Sequence, residues 1–282
     1  MTVQIAQPRV QSGSTAPREM PEISQPSVDL RRLEWDTDFF GATMGEITLA
    51  PLGASGRADV GAESLDIELR ALLTQAAGEG YRHLIFRIPA DRHPVIWAAE
   101  RADFRLVDVG IDSTFSLRSA ATSEAPPMLP VRAARTDDLP RLQEIAGDAF
   151  AHSRFTADPF FSDEQTRAFY ERWIANLAGG LAQAVLVCDL AGEVAGFVSC
   201  ALKAEEGRIP LIATAATRRH HGIGRGLVSA ALQWFAGAGA QVVRVKTQAS
   251  NYAALALYHR AGFTVSSAEL TFSITPASMA RA

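Results

Sequence analysis

Apolar positions along the chain change period several times, and those changes mark out its elements. Residues 1–29 carry Pro8, Pro17, Pro21 and Pro26 among Ser, Gln and Gly without apolar periodicity, which predicts a disordered leader. From Leu33 the pattern predicts a strand, a turn over 37–41 and a second strand over 44–49, then a Gly- and Ala-rich loop over 51–61. Leu65, Ile67, Leu69, Leu72 and Leu73 recur at mostly helical spacing within 64–77, and Gly78 and Gly80 stop that helix before a strand over 81–88. A short helix after Pro94 and a strand over 104–117 complete a first unit, 30–118. The polar stretch 119–130, with Ser119, Ser123, Pro126 and Pro127, has linker composition and marks a domain boundary.

The second unit, 131–275, opens with a strand over 131–133 and a helix whose N-cap is expected at Thr136. Leu142, Ile145 and Ala146 form its apolar stripe. After a loop over 151–161, Ser162 and Gln165 make a capping box for a helix that buries Phe169, Trp173, Ile174 and Leu177. Strands over 184–190, 194–204 and 208–215 form a meander and run directly into a glycine loop. A helix over 225–236, a strand over 241–247, a helix over 251–261 and a strand over 268–274 follow, with 276–282 as a tail. The whole is α/β, with a mixed, largely antiparallel sheet.

Composition narrows the class without naming it. The chain has 282 residues, 48% of them hydrophobic and 21% charged, with a formal net charge of −4; this fits a globular protein and gives no electrostatic footprint for nucleic acid. Cys188 and Cys200 are too few for a disulfide framework or a metal knuckle, so no metal is expected and both are read as free, buried thiols. No apolar run is long enough for a signal peptide core or a membrane span, so the expected location is cytoplasmic, away from membranes. The oligomeric state is left open, a homodimer included.

Chemistry is concentrated at Ile212–Gly226. A strand holding Ile212 and Thr214 leads to Arg219-His220-His221-Gly222-Ile223-Gly224-Arg225, and a helix follows at once. Glycines allow successive N–H groups to converge, and the helix start adds four more donors and a positive dipole end. Alone, the pattern fits a plain glycine turn as well as an anion cradle. Further on, Asn251 stands at a helix N-cap and Gly262 where a left-handed C-terminal residue is wanted. Asn251 and Tyr258 are seven residues apart, about 700° of helix rotation, so both fall on one face roughly 10 Å apart. Ala253, Ala254 and Ala256 leave room for a ligand along that face.

These motifs, in this order, resemble the GCN5-related N-acetyltransferases (GNAT) over 131–275. The resemblance implies that acetyl-CoA is the co-substrate, its pyrophosphate on the loop amides of 219–225 and its pantetheine on backbone groups of Ile212 and Thr214, with Asn251 alongside. Leu33-Glu34-Trp35-Asp36, Phe39-Phe40-Gly41, Ala149 through Phe155, Phe169-Tyr170 with Trp173-Ile174, and Arg244-Val245 with Thr247-Gln248 further resemble the dTDP-fucosamine acetyltransferases, which acetylate the 4-amino group of a dTDP-4-amino-4,6-dideoxygalactose. That implies a sugar-nucleotide amine as acceptor, near the loop carrying Ser153 and Arg154; an arginine there would clamp a diphosphate or simply form a surface ion pair. Another small amine (aminoglycoside, polyamine or peptide) and a CoA-sensing or scaffold domain without turnover stay open. Leu257, just before the tyrosine, departs from a position often basic in that subfamily, while Arg218, Arg219, His220, His221 and Arg225 make the loop unusually basic.

Tyr258 suits protonation of the departing thiolate. No base is singled out: a water chain, Glu34, Asp36, Asp158 and His152 remain equivalent, with His152 read chiefly as structural. Trp35, Phe39 and Phe40 fit core packing better than stacking on a base. Finally, Arg87, Arg101 and Phe104 echo Lys246, Arg260 and Phe263 at one spacing, which sets Arg92 against Asn251 and Ala99 against Tyr258. After a small shift, Thr114-Phe115-Ser116-Leu117 echoes Thr271-Phe272-Ser273-Ile274. Residues 30–118 are therefore expected to be a degenerate half of the same fold, which requires a strand–helix–strand unit within 81–117.

Overall fold

Alternating and helical apolar periods resolve into eleven strands and eight α-helices in a computed structural model that describes residues 28–49, 62–118, 129–150 and 153–275. The first part comprises β1 (Val28–Arg32), α1 (Glu34–Phe40), β2 (Met44–Leu49), α2 (Ala62–Gly78), β3 (His83–Pro89), α3 (His93–Arg101) and β4 (Arg105–Ser116). Then come β5 (Val131–Ala133), α4 (Leu139–Ala149), α5 (Arg154–Ala157), α6 (Asp163–Asn176), β6 (Ala184–Leu190), β7 (Glu193–Lys203), β8 (Glu206–Ile209) and β9 (Ile212–Thr214). The chain closes with α7 (Ile223–Gly237), β10 (Val242–Gln248), α8 (Tyr252–Arg260) and β11 (Thr264–Ile274). The 51–61 loop, the tail, His152 and most of the leader and linker lie outside the described residues.

Several expectations change. The turn expected over 37–41 is the end of helix α1, closed by Gly41 at φ 64°. Its Asp-Thr-Asp run reads as turn chemistry, but about two helical turns put Phe39 and Phe40 against Phe169, Phe155 and Phe161. Burying two phenyl rings, about 1.5–3 kcal/mol each when fully buried, outweighs the weak local preference. Strand β1 begins at Val28, inside the expected leader. Thr136 opens a short 3-10 turn instead of capping α4, and Asp138 accepts from Arg135 N at 2.7 Å. The 151–161 loop contains α5, capped by Ser153. The capping box forms as expected: Ser162 Oγ accepts from Gln165 N and Gln165 Oε1 from Ser162 N.

All the described strands join one mixed, mostly antiparallel sheet in the order β1-β2-β3-β11-β4-β10-β8-β7-β6-β5, with β9 on β7. The order interleaves the ends of the chain: β11 lies between β3 and β4, and β4 between β11 and β10. The arrangement has an internal two-fold pattern. His83–Pro89, His93–Arg101 and the start of β4 correspond, at a single constant spacing, to Val242–Gln248, Tyr252–Arg260 and the start of β11. β3 pairs with β2 in parallel from His83 to Phe86, as β10 pairs with β8 from Val242 to Val245. Even the two register slips between β4 and β11 are equivalent, one skipping Val107 and the other Ser266. Gly80 and Gly239 share a left-handed turn, as do Asp103 and Gly262. The Thr114–Leu117 echo of Thr271–Ile274 lies two residues off this register and has no structural counterpart.

Three cores fill the layers. Helices α2 and α3 cover β3 with Leu65, Leu69, Leu73 and Ala98, and this core takes in Phe272 and Ile274 from β11. Helices α7 and α8 cover β7 and β10 with Leu227, Val228, Phe235 and Tyr258, and here Phe115 and Leu117 pack from the end of β4. The third holds α4, α5 and α6 on the opposite side of β7. Among the described residues no helix is long and apolar enough to cross a membrane.

Candidate active site

The strand expected over 208–215 is broken. β8 pairs in parallel with β10 only as far as Ile209, opposite Val245. Pro210, which has no N–H to donate, interrupts the ladder, and β9 continues on β7 alone, Val198 opposite Ile212 and Gly196 opposite Thr214. Ser199, buried and unremarked in the sequence, fixes the bend: its Oγ donates to Leu211 O at 3.0 Å and accepts from Leu211 N at 2.9 Å. Gly196 allows the close approach, since a Cβ there would stand 2.7 Å from Ala213 O. The result is a wedge between β9 and β10. Ser199 N bonds to Leu211 O and Ala215 N to Ala195 O. By antiparallel alternation, the backbone groups of Ile212 and Thr214 therefore turn away from β7 into the wedge.

Past β9 the chain makes a 3-10 turn, Ala216–Arg218, and a loop in which His220 (φ 65°) and Gly222 (φ 77°) are left-handed. Gly222 stands at the N-cap of α7 and offers no side chain, so no cap side chain takes up the first-turn N–H groups. Arg219, His220, Gly222, Ile223 and Gly224 line the wall of a cleft of about 920 Å³, together with Ile212 and Thr214. His221 and Arg225 do not line it; His221 Nδ1 lies 2.7 Å from Arg219 O and braces the loop. Arg218 joins the wall and pairs with Glu193 at 2.7 Å.

The other lip is α8. Asn251 Oδ1 accepts from Ala254 N at 3.1 Å, capping the helix at the cleft wall. A Cβ on Gly224 would meet Leu257 at 3.2 Å, so the two helices are close where Leu257 stands. Tyr258 is 4% exposed and reaches the cleft from the buried side; burial pushes its pKa up, keeping the phenol protonated.

The far end has aromatic walls from Phe150, Phe155, Phe169, Tyr170 and Trp173. Arg154 faces it, with Nη2 at 3.1 Å from Asp36 Oδ1 and its guanidinium 4.0 Å above the Phe155 ring. Burial, and then repulsion from Arg87, weigh against the Arg154 charge, and Asp36 opposes them. Ser153 is buried, caps α5 by accepting from Thr156 N at 3.3 Å, and does not line the cleft. Trp35 stacks on Phe39 beside Phe169, outside the wall. The first part of the chain supplies Arg87, Asp108 and Asp112, which motif reading missed. One signal was present: Asp108, Gly110 and Asp112 alternate on one face of an interior strand. Gly110 sits under Lys246, whose stem a Cβ would strike at 2.5 Å.

A wedge that frees backbone groups, a helix start without a side-chain cap and a buried phenol share one cleft, an arrangement that suits an extended, phosphate-bearing ligand. Residues 142–263 match the acetyltransferase (GNAT) family. The chain is 31% identical over 199 residues to the dTDP-fucosamine acetyltransferase of Escherichia coli O6:H1, spanning 70% of this chain and 83% of that protein. It therefore belongs to the GNAT family and is an acetyl-CoA-dependent N-acetyltransferase. Its fold is similar to a GCN5-related N-acetyltransferase from Sphaerobacter thermophilus (TM-score 0.61, 16% identity, covering 89% of this chain and 77% of that one). It is also similar to a tandem GNAT protein from the clavulanic acid biosynthesis pathway (TM-score 0.55, 12% identity, 84% and 76%).

Proposed function

We propose that this enzyme moves the acetyl group of acetyl-CoA to the amine of an amino-deoxy sugar nucleotide of the dTDP-4-amino-4,6-dideoxyhexose type. The observation that carries the reading is the single cleft joining the α7 start and the β9–β10 wedge to an end walled by aromatic rings, Arg154 and Arg87. The likeness to a dTDP-fucosamine acetyltransferase supports the acceptor. The first-turn amides of α7, with Arg219 and His220, hold the pyrophosphate; Ile212 and Thr214 take pantetheine by strand-like pairing in the wedge. Tyr258 donates a hydrogen bond to the departing sulfur and completes the proton transfer there. Arg154, freed from Asp36, clamps the acceptor's diphosphate through paired N–H donors.

Residues 30–118 and 131–275 are, in this reading, a degenerate and a complete copy of one fold, supported by the equivalent pairings of β3-α3-β4 and β10-α8-β11. The degenerate copy serves as a wall of the acceptor end. The test is CoA release by purified protein with acetyl-CoA and dTDP-, UDP- and GDP-linked 4-amino sugars. Turnover preferring the dTDP-linked sugar is expected. Turnover confined to simple amines, polyamines or peptides would overturn the acceptor assignment.

A further inference from the structure

Among the described residues four carboxyl groups line the cleft: Asp108, Asp112, Asp148 and Glu269. Three are held in ion pairs, Asp112 and Glu269 with Lys246 at 3.6 and 2.6 Å and Asp148 with Arg167. Among the described residues Asp108 has no such partner. Its carboxyl instead has the Gln248 side chain and the Val109 N–H nearby, both favouring its charged form. It stands opposite Thr271 at the register slip between β4 and β11, where an extra residue re-aims the neighbouring side chains. The other carboxylates with a claim to proton transfer are elsewhere. Glu34 pairs with Arg32 at 3.1 Å, Asp36 with Arg154, and Asp158 is buried against His83; none of the three lines the cleft.

We propose that Asp108 receives the acceptor's ammonium group and removes one of its protons. The inference rests on the N-acetyl transfer assigned to this cleft, and it names the residue that makes the amine nucleophilic. The ammonium gives one proton to the Asp108 carboxylate. The freed nitrogen pair then forms the C–N bond at the acyl carbon, and the C–S bond breaks with its electron pair on sulfur. Sulfur takes a proton from Tyr258, which is made good by the second proton leaving nitrogen. Asp108 releases its proton to solvent, so ammonium and thioester become amide, thiol and one free proton.

The surroundings agree with this role. Lys246 from β10, Arg154 from α5 and Tyr170 from α6 face Asp108, and Arg87 from β3 and Glu269 from β11 complete the charged groups of this end. Burial pushes the Asp108 carboxyl up, against the opposing influence of the Gln248 side chain, the Val109 N–H and the charges of Lys246 and Arg154. A carboxylate raised toward neutrality is a better proton acceptor than an ordinary one. The equivalent position in the repeated unit is Ser267, which is exposed on β11 and carries no carboxyl.

The experiment compares full-length wild type, Asp108→Asn and Asp108→Glu with acetyl-CoA and the amine that wild type turns over best. kcat/KM is followed against pH, acetyl-CoA affinity by calorimetry and folding by circular dichroism. Asp108→Asn is expected to lose about 10²-fold or more in kcat/KM, together with the fall on the acid side of the profile, while binding acetyl-CoA as wild type does. Asp108→Glu is expected to keep that acid-side fall at a shifted pH. Folded Asp108→Asn with activity within about threefold of wild type and the same acid-side fall would overturn this inference alone. Wild type that binds acetyl-CoA but acetylates no amine would overturn the transfer reading and this inference with it.

Discussion

The strand–helix–strand units β3-α3-β4 and β10-α8-β11 have nearly the same lengths, a parallel partner on one side and equivalent slips in register, yet their side chains differ where the cleft lies. Helix α8 is capped by the Asn251 side chain, whereas Arg92 makes no cap bond to α3. Tyr258 reaches the cleft; Ala99 at the equivalent place is packed among Leu69, Phe104 and their neighbours in an apolar core. Backbone arrangement is thus permissive, and in the proposed reading a few side chains together with the glycine loop between β9 and α7 decide function. Through Arg87, Asp108 and Asp112 the first unit contributes charged side chains to the cleft that Tyr258 reaches.

The comparison is broken most severely by Gly222→Trp, which should abolish acetyl-CoA binding in calorimetry. It places a bulky side chain at a left-handed position at the start of α7, where the pyrophosphate is proposed to bind, and retained affinity would put the pyrophosphate elsewhere. Phe272→Ala comes next. The ring belongs to β11 but is 2% exposed in the core of the first unit. Its loss should destabilise by about 3–5 kcal/mol and shift one cooperative unfolding transition; two separate transitions would show that the units fold independently. Tyr258→Phe should leave acetyl-CoA affinity intact and lower kcat by about 10²-fold, and an unchanged kcat would remove the phenol from the chemistry.

The smallest effect concerns the clamp between the units, where His83 Nε2 lies 2.8 Å from Asp158 Oδ2 with both side chains buried. Burial pushes the Asp158 carboxyl up, but His83, the Phe160 N–H and the Ser273 hydroxyl together hold it below its ordinary value. Its stabilisation is therefore present above the ordinary carboxyl pKa and is lost as pH falls through the folded-state pKa. Asp158→Asn should cost about 1–3 kcal/mol at neutral pH, and its melting temperature should converge on that of wild type in acid. A difference that persists unchanged at low pH would assign the effect to packing.

Much of this was legible. Ser162 and Gln165, Asn251 and Gly262 announced helix ends that form as read, because caps and left-handed glycines act over three or four residues. The glycine loop and the tyrosine fell in one cleft for the same reason, each being fixed by a local turn next to a strand. Helix α1 was hidden because its Asp-Thr-Asp run favours a turn locally and only contact with Phe155, Phe161 and Phe169 favours the helix. Pro210 was visible, but the wedge it opens depends on which strand lies next to it.

By itself the sequence determined where most helices and strands lie, that a glycine loop leads into a helix and that a tyrosine stands on the next one, since each follows from propensity, capping or spacing within one or two turns of chain. The tertiary structure decided that β11 inserts between β3 and β4, and that Asp108 thereby enters the cleft beside Gln248. A strand's hydrogen-bonding edges are nearly the same for any partner, so pairing across much of the chain leaves little local trace; packing of Phe272 and Phe115 into opposite cores selects it.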